Sequence, residues 1–185
     1  MFCQPGFDFF NQHIGAHGNY LEIGVFNGNS IAGLARNHPT KTIFGIDPFL
    51  EDGCTTAHTQ VEQDEFMPVQ YANTQHNILG LDNITLFQVT SQEFAEMLTD
   101  EMAADMNINW VLIDGSHHYE DVINDVHLAM RLIGTKPGAV VFDDCNLSGV
   151  GQARDEFLEQ YTVDKTEDLF GMHPGHIMAY WINNG

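Results

Sequence analysis

Residues 110–144 constrain the fold more tightly than any other part of the chain. WVLI at 110–113 is an apolar run that stops at Asp114. GSHHYE follows, then a helix-patterned segment, a Lys136-Pro137-Gly138 turn, and a second apolar run, AVVF, that stops at Asp143-Asp144. Two apolar runs that each end in a carboxylate and are joined by an amphipathic segment predict a strand, a crossover helix and a parallel strand. Parallel strands point their C-terminal ends the same way, so the three aspartates converge at one sheet edge, where open α/β sheets bind ligands. Carboxylates gathered there repel one another unless a cation, a proton or a basic side chain offsets them.

The remainder of the chain repeats this alternation. Residues 20–23 read as the first buried strand. Gly24-Val-Phe-Asn-Gly28-Asn-Ser30 reads as a tight turn into a helix starting near Asn29 or Ser30, its two glycines permitting a backbone approach that a Cβ would block. Residues 42–46 form a second strand ending at Asp47, after which Pro48 opens a loop to about Thr59. A helix over 61–79 is kinked or divided by Pro68. Residues 84–89 form the third strand, Ser91 caps a helix through about Met102, and 109–113 form the fourth strand. The helix after it carries Val122, Val126, Met130 and Ile133 as one apolar stripe. Beyond the fifth strand, Gly149-Val-Gly151 leads into a helix through Tyr161, with a short strand near 164–170 and a final strand over 177–182. Residues 1–18, with Phe7, Phe9, Phe10 and Ile14, predict a short helix over the sheet edge. Strand and helix alternate throughout, without repeat or linker, which predicts a single doubly wound α/β domain over 1–185.

Composition limits the partners. The chain has 26 acidic residues against 6 lysines and arginines, a net charge of −20. Nucleic acid and anionic membrane are poor partners for such a surface, because phosphate binding needs lysine and arginine. The acidity also fits solubility or a salty environment. A 43% share of hydrophobic residues, no long apolar run and no signal-peptide layout predict a soluble, cytoplasmic protein. Cys3, Cys54 and Cys145 are odd in number and far apart, which argues against a disulfide framework or a zinc cluster.

A strand, a glycine turn, and an acidic residue closing the second strand form the general nucleotide-binding arrangement, with Asp47 placed to accept both ribose hydroxyls. The turn lacks the middle glycine of G-x-G-x-x-G, because position 26 is Phe, and a pyrophosphate would also face Glu22, Asp114, Asp143 and Asp144. S-adenosylmethionine suits this scaffold better than a dinucleotide. It keeps the adenosine, carries no phosphate, and brings a sulfonium and an ammonium to an acidic mouth. Gly24 and Gly28 as plain turn glycines, and Asp47 as an ordinary strand-end aspartate, remain alternative readings.

LEIGVFNGNS, IFGIDPF and VLIDGSHHYEDVINDVHLAMRLIGTKPGAVVFDDC, covering most of residues 19–146, resemble the small class I methyltransferases grouped with the macrocin-type sugar O-methyltransferases. The resemblance implies a seven-stranded Rossmann-like sheet, mostly parallel with an antiparallel last strand, and methyl transfer from S-adenosylmethionine, often to a hydroxyl with a divalent ion. It implies that Glu22, Gly24, Gly28 and Ser30 line the methionine side of the cofactor, Asp47 the ribose and Ser91 the adenine. Asp114, Asp143 and Asp144 match the magnesium-site aspartates of the metal-dependent members, and hard oxygen ligands suit Mg²⁺. Asp114 facing the cofactor amine alone, and Asp143 or Asp144 capping a helix or holding a loop, are the competing readings.

The acceptor would be the hydroxyl of a small molecule such as a sugar or polyol, and a hydroxyl is a poor nucleophile until its proton leaves. An imidazole can take that proton near neutral pH, which makes His117 the candidate general base, acting beside Asp114. Metal-dependent relatives place an aspartate two residues beyond the first metal aspartate, where this chain has Ser116. His118 points elsewhere, Tyr119 begins the helix or stacks on the cofactor, and His173 and His176 lie in a late loop that could reach the pocket. The histidines lack a zinc-site spacing. A dinucleotide-dependent oxidoreductase and a non-catalytic cofactor-binding protein are the alternative functions. The few loops available as a lid leave room for a second subunit of a homo-oligomer to complete the site.

Overall fold

The computed structural model describes residues 4–15, 17–49, 70–170 and 175–183. Its strands are β1 (Asn19–Ile23), β2 (Ile43–Ile46), β3 (Ile84–Phe87), β4 (Ile108–Ile113), β5 (Gly138–Phe142), β6 (Lys165–Asp168) and β7 (Met178–Ile182). The helices are α1 (Gln4–His13), α2 (Asn29–Asn37), α3 (70–78), α4 (Ser91–Met97), α5 (Asp100–Met106), α6 (Tyr119–Ile133) and α7 (Ser148–Gln160). One seven-stranded sheet runs in the order β3-β2-β1-β4-β5-β7-β6. β1 to β5 are parallel, and β7 lies antiparallel between β5 and β6. This is the expected α/β architecture.

Every residue of β2, β4 and β5 is buried, whereas edge strands β3 and β6 are partly or fully open. Apolar runs without alternation are what a sheet covered on both faces requires. On one face Phe94, Val122, Val126, Ala129, Ile133 and Phe157 from α4, α6 and α7 pack against Leu21, Val111 and Val140. On the other, Phe9, Phe10, Ile31 and Leu34 from α1 and α2 meet Tyr20, Trp110, Val141 and Ala179.

Three local expectations are corrected. The N-terminal helix covers a face of the sheet, not its edge: Phe10 meets Tyr20 at 4.7 Å and Phe9 meets Trp181 at 5.3 Å between ring centroids. Ser91 is the first residue of α4, not its cap. That role belongs to Thr90, whose side chain accepts from Glu93 N while the Glu93 carboxylate accepts from Thr90 N, a reciprocal capping box. The single helix expected through Met102 is two, because Thr99 accepts from Met102 N and starts α5 afresh. Most of the loop after Pro48, together with Pro68 and His173, lies outside the described residues.

Gly24 fixes how closely β1 and β4 separate at their tips. Its φ is +92°, and a Cβ there would sit 2.0 Å from the Asp114 carbonyl oxygen, backbone that cannot rotate away. Gly80 has φ +79°, and a Cβ added there would meet nothing within 4 Å, so it isolates the dihedral cost. We expect Gly80→Ala to cost about 1–2 kcal/mol and Gly24→Ala clearly more, read by denaturant titration of the two variants. Equal losses would show that the close approach at Gly24 is not a constraint.

Candidate active site

The hydrogen-bond ladder runs one residue past each parallel strand. Gly24 N donates to Ile46 O (2.9 Å), Asp47 N to Phe87 O (3.1 Å), Asp114 N to Ile23 O (2.9 Å) and Asp143 N to Ile113 O (3.1 Å). The residues at the strand tips are therefore set in one row, Asp47, Gly24, Asp114 and Asp143, across β2, β1, β4 and β5. The expected convergence of the three aspartates at one edge is met.

At the β1 end of the row the turn is closed by the protein itself. Asp47 Oδ2 accepts from Val25 N and Phe26 N, each at 2.9 Å, and Oδ1 accepts from Phe49 N at 2.8 Å. Phe26 takes φ +53°, a left-handed backbone unusual for a bulky residue. Amides that a phosphate-binding turn aims at its anion are here directed at a carboxylate. Burial pushes Asp47 above its ordinary value, and these three donors offset part of that. Below it, Glu22 is buried on β1, accepting from Tyr20 Oη at 2.7 Å and from the Ser30 hydroxyl. Burial pushes its carboxyl up to about 7.

The β4 and β5 tips carry the remaining charge. Burial first, then the Asp143, Glu22 and Asp144 charges, push Asp114 well above the usual carboxylate range. Among the described residues no lysine or arginine forms an ion pair with Asp114 or Asp144. Asp144 sits at φ +53° and donates its amide to Asp143 Oδ1 at 2.8 Å. Its Oδ2 lies 3.1 Å from His117 Nε2 and its Oδ1 3.0 Å from His176 Nε2. The His117 imidazole holds Asp144 below its ordinary value. His118 supplies the backbone cap of α6, and Tyr119 begins that helix with its hydroxyl on Glu156. Asp114, His117 and Asp144 form one group of candidate metal donors, and Asp143, Asp144 and His176 a second, with the donor atoms of each within 4.8 Å of one another.

Beside this row, Ser91 at the start of α4 hydrogen-bonds to Asp125 of α6. Asp125 is 2% exposed, and its Oδ1 has no hydrogen-bond partner among the described residues. A Cβ on Gly115 would lie 3.7 Å from Asp125 Oδ2, so the carboxyl underlies the loop that follows β4. Burial pushes Asp125 up to about 7. Asp125 carries no signal in the sequence beyond being polar on the apolar stripe of α6, three residues after Val122.

The parallel sheet with an antiparallel β7, and an acidic row outside its strand tips, define a Rossmann-like fold of the class I methyltransferase type. Residues 21–145 match the model of the methyltransferase domain family, and the chain belongs to that family. It is 31% identical over 125 residues to an uncharacterized protein of Acanthamoeba polyphaga mimivirus, a match that covers 68% of this chain and 50% of that protein. The chain thus spans about half the length of the curated relative it matches. Among solved structures, a candidate O-methyltransferase from Klebsiella pneumoniae superposes with a TM-score of 0.65 at 14% identity, covering 99% of this chain and 81% of that one. The O-methyltransferase TomG from Streptomyces achromogenes, solved in complex with SAM, also gives 0.65 at 14% identity, covering 98% and 80%. At that identity the likeness is one of fold.

Glu22 and Asp125 retain their protons to about pH 7, against ordinary values of 4.5 and 3.8. Between those limits the folded chain binds more protons than the unfolded one, so their contribution is largest at the acid end and is lost as pH rises toward 7. Asp125→Asn should make the fall of Tm with pH shallower across this window. At pH 8 it should raise Tm by roughly 2–4 °C for each kcal/mol recovered. Parallel Tm profiles for the variant and the parent would contradict the buried-carboxyl assignment.

Proposed function

We propose that this protein transfers a methyl group from S-adenosylmethionine to an oxygen nucleophile of a small molecule, a sugar or other polyol, with a divalent cation held among Asp114, Asp143 and Asp144. The observation that carries this reading is the row of carboxylates at the strand tips with Asp114 buried among like charges and paired to no lysine or arginine of the described residues. A positively charged guest offsets such a cluster. The filled turn points the same way, since Asp47 takes the Val25 and Phe26 amides that a dinucleotide's pyrophosphate would need. The oxidoreductase alternative is disfavoured for that reason.

S-adenosylmethionine would supply an electrophilic methyl group on a sulfonium. Glu22, Gly24, Gly28 and Ser30 line its methionine side, with Ser30 held by Glu22. Asp47 Oδ1 accepts one amide and keeps a lone pair for a ribose hydroxyl. Ser91, held by Asp125, borders the adenine. The donor set at the tips fits a divalent ion, Mg²⁺ being the choice of carboxylates alone. Such an ion would neutralise the three aspartates and lower the pKa of an acceptor hydroxyl.

His117 removes the acceptor proton. With its Nε2 proton donated to Asp144 Oδ2, its Nδ1 is left as the accepting atom, and Asp144 fixes the ring's orientation. Alignment of acceptor, methyl carbon and sulfur then supplies most of the acceleration.

Isothermal calorimetry with S-adenosylmethionine and NAD in parallel should give binding for the first alone. A panel of polyol acceptors, assayed for methyl transfer, should then show Asp143→Ala abolishing turnover with little change in cofactor affinity. His117→Ala should lower kcat by about 10²–10⁴-fold. Unchanged turnover in Asp143→Ala would reject the metal role. Cofactor binding with no transfer to any acceptor would favour a non-catalytic cofactor-binding protein.

A further inference from the structure

Three features outside the proposed roles were open to a function: the Asp125 carboxyl beneath Gly115, the buried Cys145 thiol, and the His176 imidazole on Asp143 and Asp144. Asp125 is accounted for by its hold on Ser91, and burial pushes the Cys145 thiol up to about 12, which makes it inert. His176 pairs with Asp144 and also faces Asp143, a geometry that can do more than hold one carboxylate.

We infer that His176 joins Asp143 and Asp144 as a nitrogen ligand of the cation site, and that the site takes a borderline transition ion such as Co²⁺ or Zn²⁺ through that imidazole. This rests on the cation-assisted reading above and deepens it. The topology brings the residue there. β5 and β7 pair antiparallel with Phe142 opposite Met178, so the two residues that follow β5 run alongside the two that precede β7. Asp144 thereby comes opposite His176, and Cys145 N donates to the His176 carbonyl at 2.8 Å. The approach is fixed on its other side as well. Leu169 N donates to Ile177 O at 2.9 Å, Gly175 N donates to Asp168 Oδ2 at 2.7 Å, and the Phe170 ring lies 5.7 Å from the imidazole.

The distances suit a shared ion. His176 Nε2 is 3.0 Å from Asp144 Oδ1 and 3.8 Å from Asp143 Oδ1. Donors bound at about 2.0–2.2 Å to one tetrahedral or octahedral ion stand roughly 3–4 Å apart, so the three atoms can meet one ion with little rearrangement. A hydrogen bond alone would account for the Asp144 distance. The same nitrogen also faces Asp143, so the three donor atoms converge on one locus, and the titration below separates a shared ion from a simple ion pair. Imidazole adds little to Mg²⁺, which prefers oxygen and retains its waters, and much to first-row transition ions. His117 stays on the opposite oxygen of Asp144, available as the base.

The test uses the full chain without cofactor or acceptor, so it can fail while methyl transfer stands, and methyl transfer can fail while it stands. Calorimetric titration with Co²⁺ and with Mg²⁺ is compared for the parent, His176→Ala and His117→Ala, and proton NMR of the Co²⁺-loaded proteins looks for a hyperfine-shifted, exchangeable imidazole proton. The expected result is a tenfold or greater loss of Co²⁺ affinity in His176→Ala with Mg²⁺ affinity changed less than twofold. The shifted proton should be absent from His176→Ala and present in His117→Ala. Circular dichroism matching the parent excludes unfolding, and His176→Gln gives the same comparison in a bulkier side chain should His176→Ala fail that check. Equal losses for both ions, an unaltered Co²⁺ titration, or a shifted proton that disappears with His117 instead would overturn the inference.

Discussion

Mutual repulsion among carboxylates at the tips of parallel strands is the constraint on which the rest of the structure depends. The sheet cannot avoid it. Continuous apolar runs bury β2, β4 and β5 on both faces, and the backbone ladder carries each chain one residue beyond its strand before releasing it. The acidic residue at that point has nowhere else to go. Each one is then handled differently: Asp47 by backbone amides, Glu22 by hydroxyls and burial, Asp144 by imidazoles, while Asp114 is left with like charges around it.

These differences divide the site by task. The β1–β2 side has a turn whose Val25 and Phe26 amides are already used by Asp47 and whose position 24 has no room for a side chain. On the reading proposed above, this side holds the phosphate-free cofactor. The β4–β5 side gathers three carboxylates, with neither Asp114 nor Asp144 paired to a lysine or arginine among the described residues, and has a left-handed backbone at Asp144, an arrangement that a folded chain tolerates where surrounding contacts over-determine it. On the reading proposed above, this side holds the cation and orients the base.

Most of the fold was legible because burial and periodicity are local signals. The apolar runs ending at Asp114 and Asp143 located β4 and β5, and the stripe from Val122 to Ile133 located α6. Errors fell where competing local signals had to be ranked. Thr90 and Thr99 each precede a capping pattern, yet Ser91 and an unbroken helix were expected, because apolar spacing continues across the junction at Leu98. The face covered by α1 depends on tertiary aromatic contacts that no local pattern encodes. In the site, Asp47, Asp114, Asp143 and Asp144 could be located from strand ends alone. Asp125 could not be assigned, because its partner Ser91 is more than thirty residues away, and His176 could be read only as a loop histidine within reach of the pocket, because its contact with Asp143 and Asp144 depends on the antiparallel register of β5 and β7.

Anomalous scattering from a crystal grown with S-adenosylmethionine and a divalent transition ion addresses the central claim most directly. A single peak within bonding distance of Asp143 and Asp144, with the cofactor's sulfonium on the Asp114 side of Gly24, is the outcome that a charge-compensated cleft requires. A cleft with both guests lying elsewhere, and the three aspartates neutralised by the protein's own side chains, would contradict it.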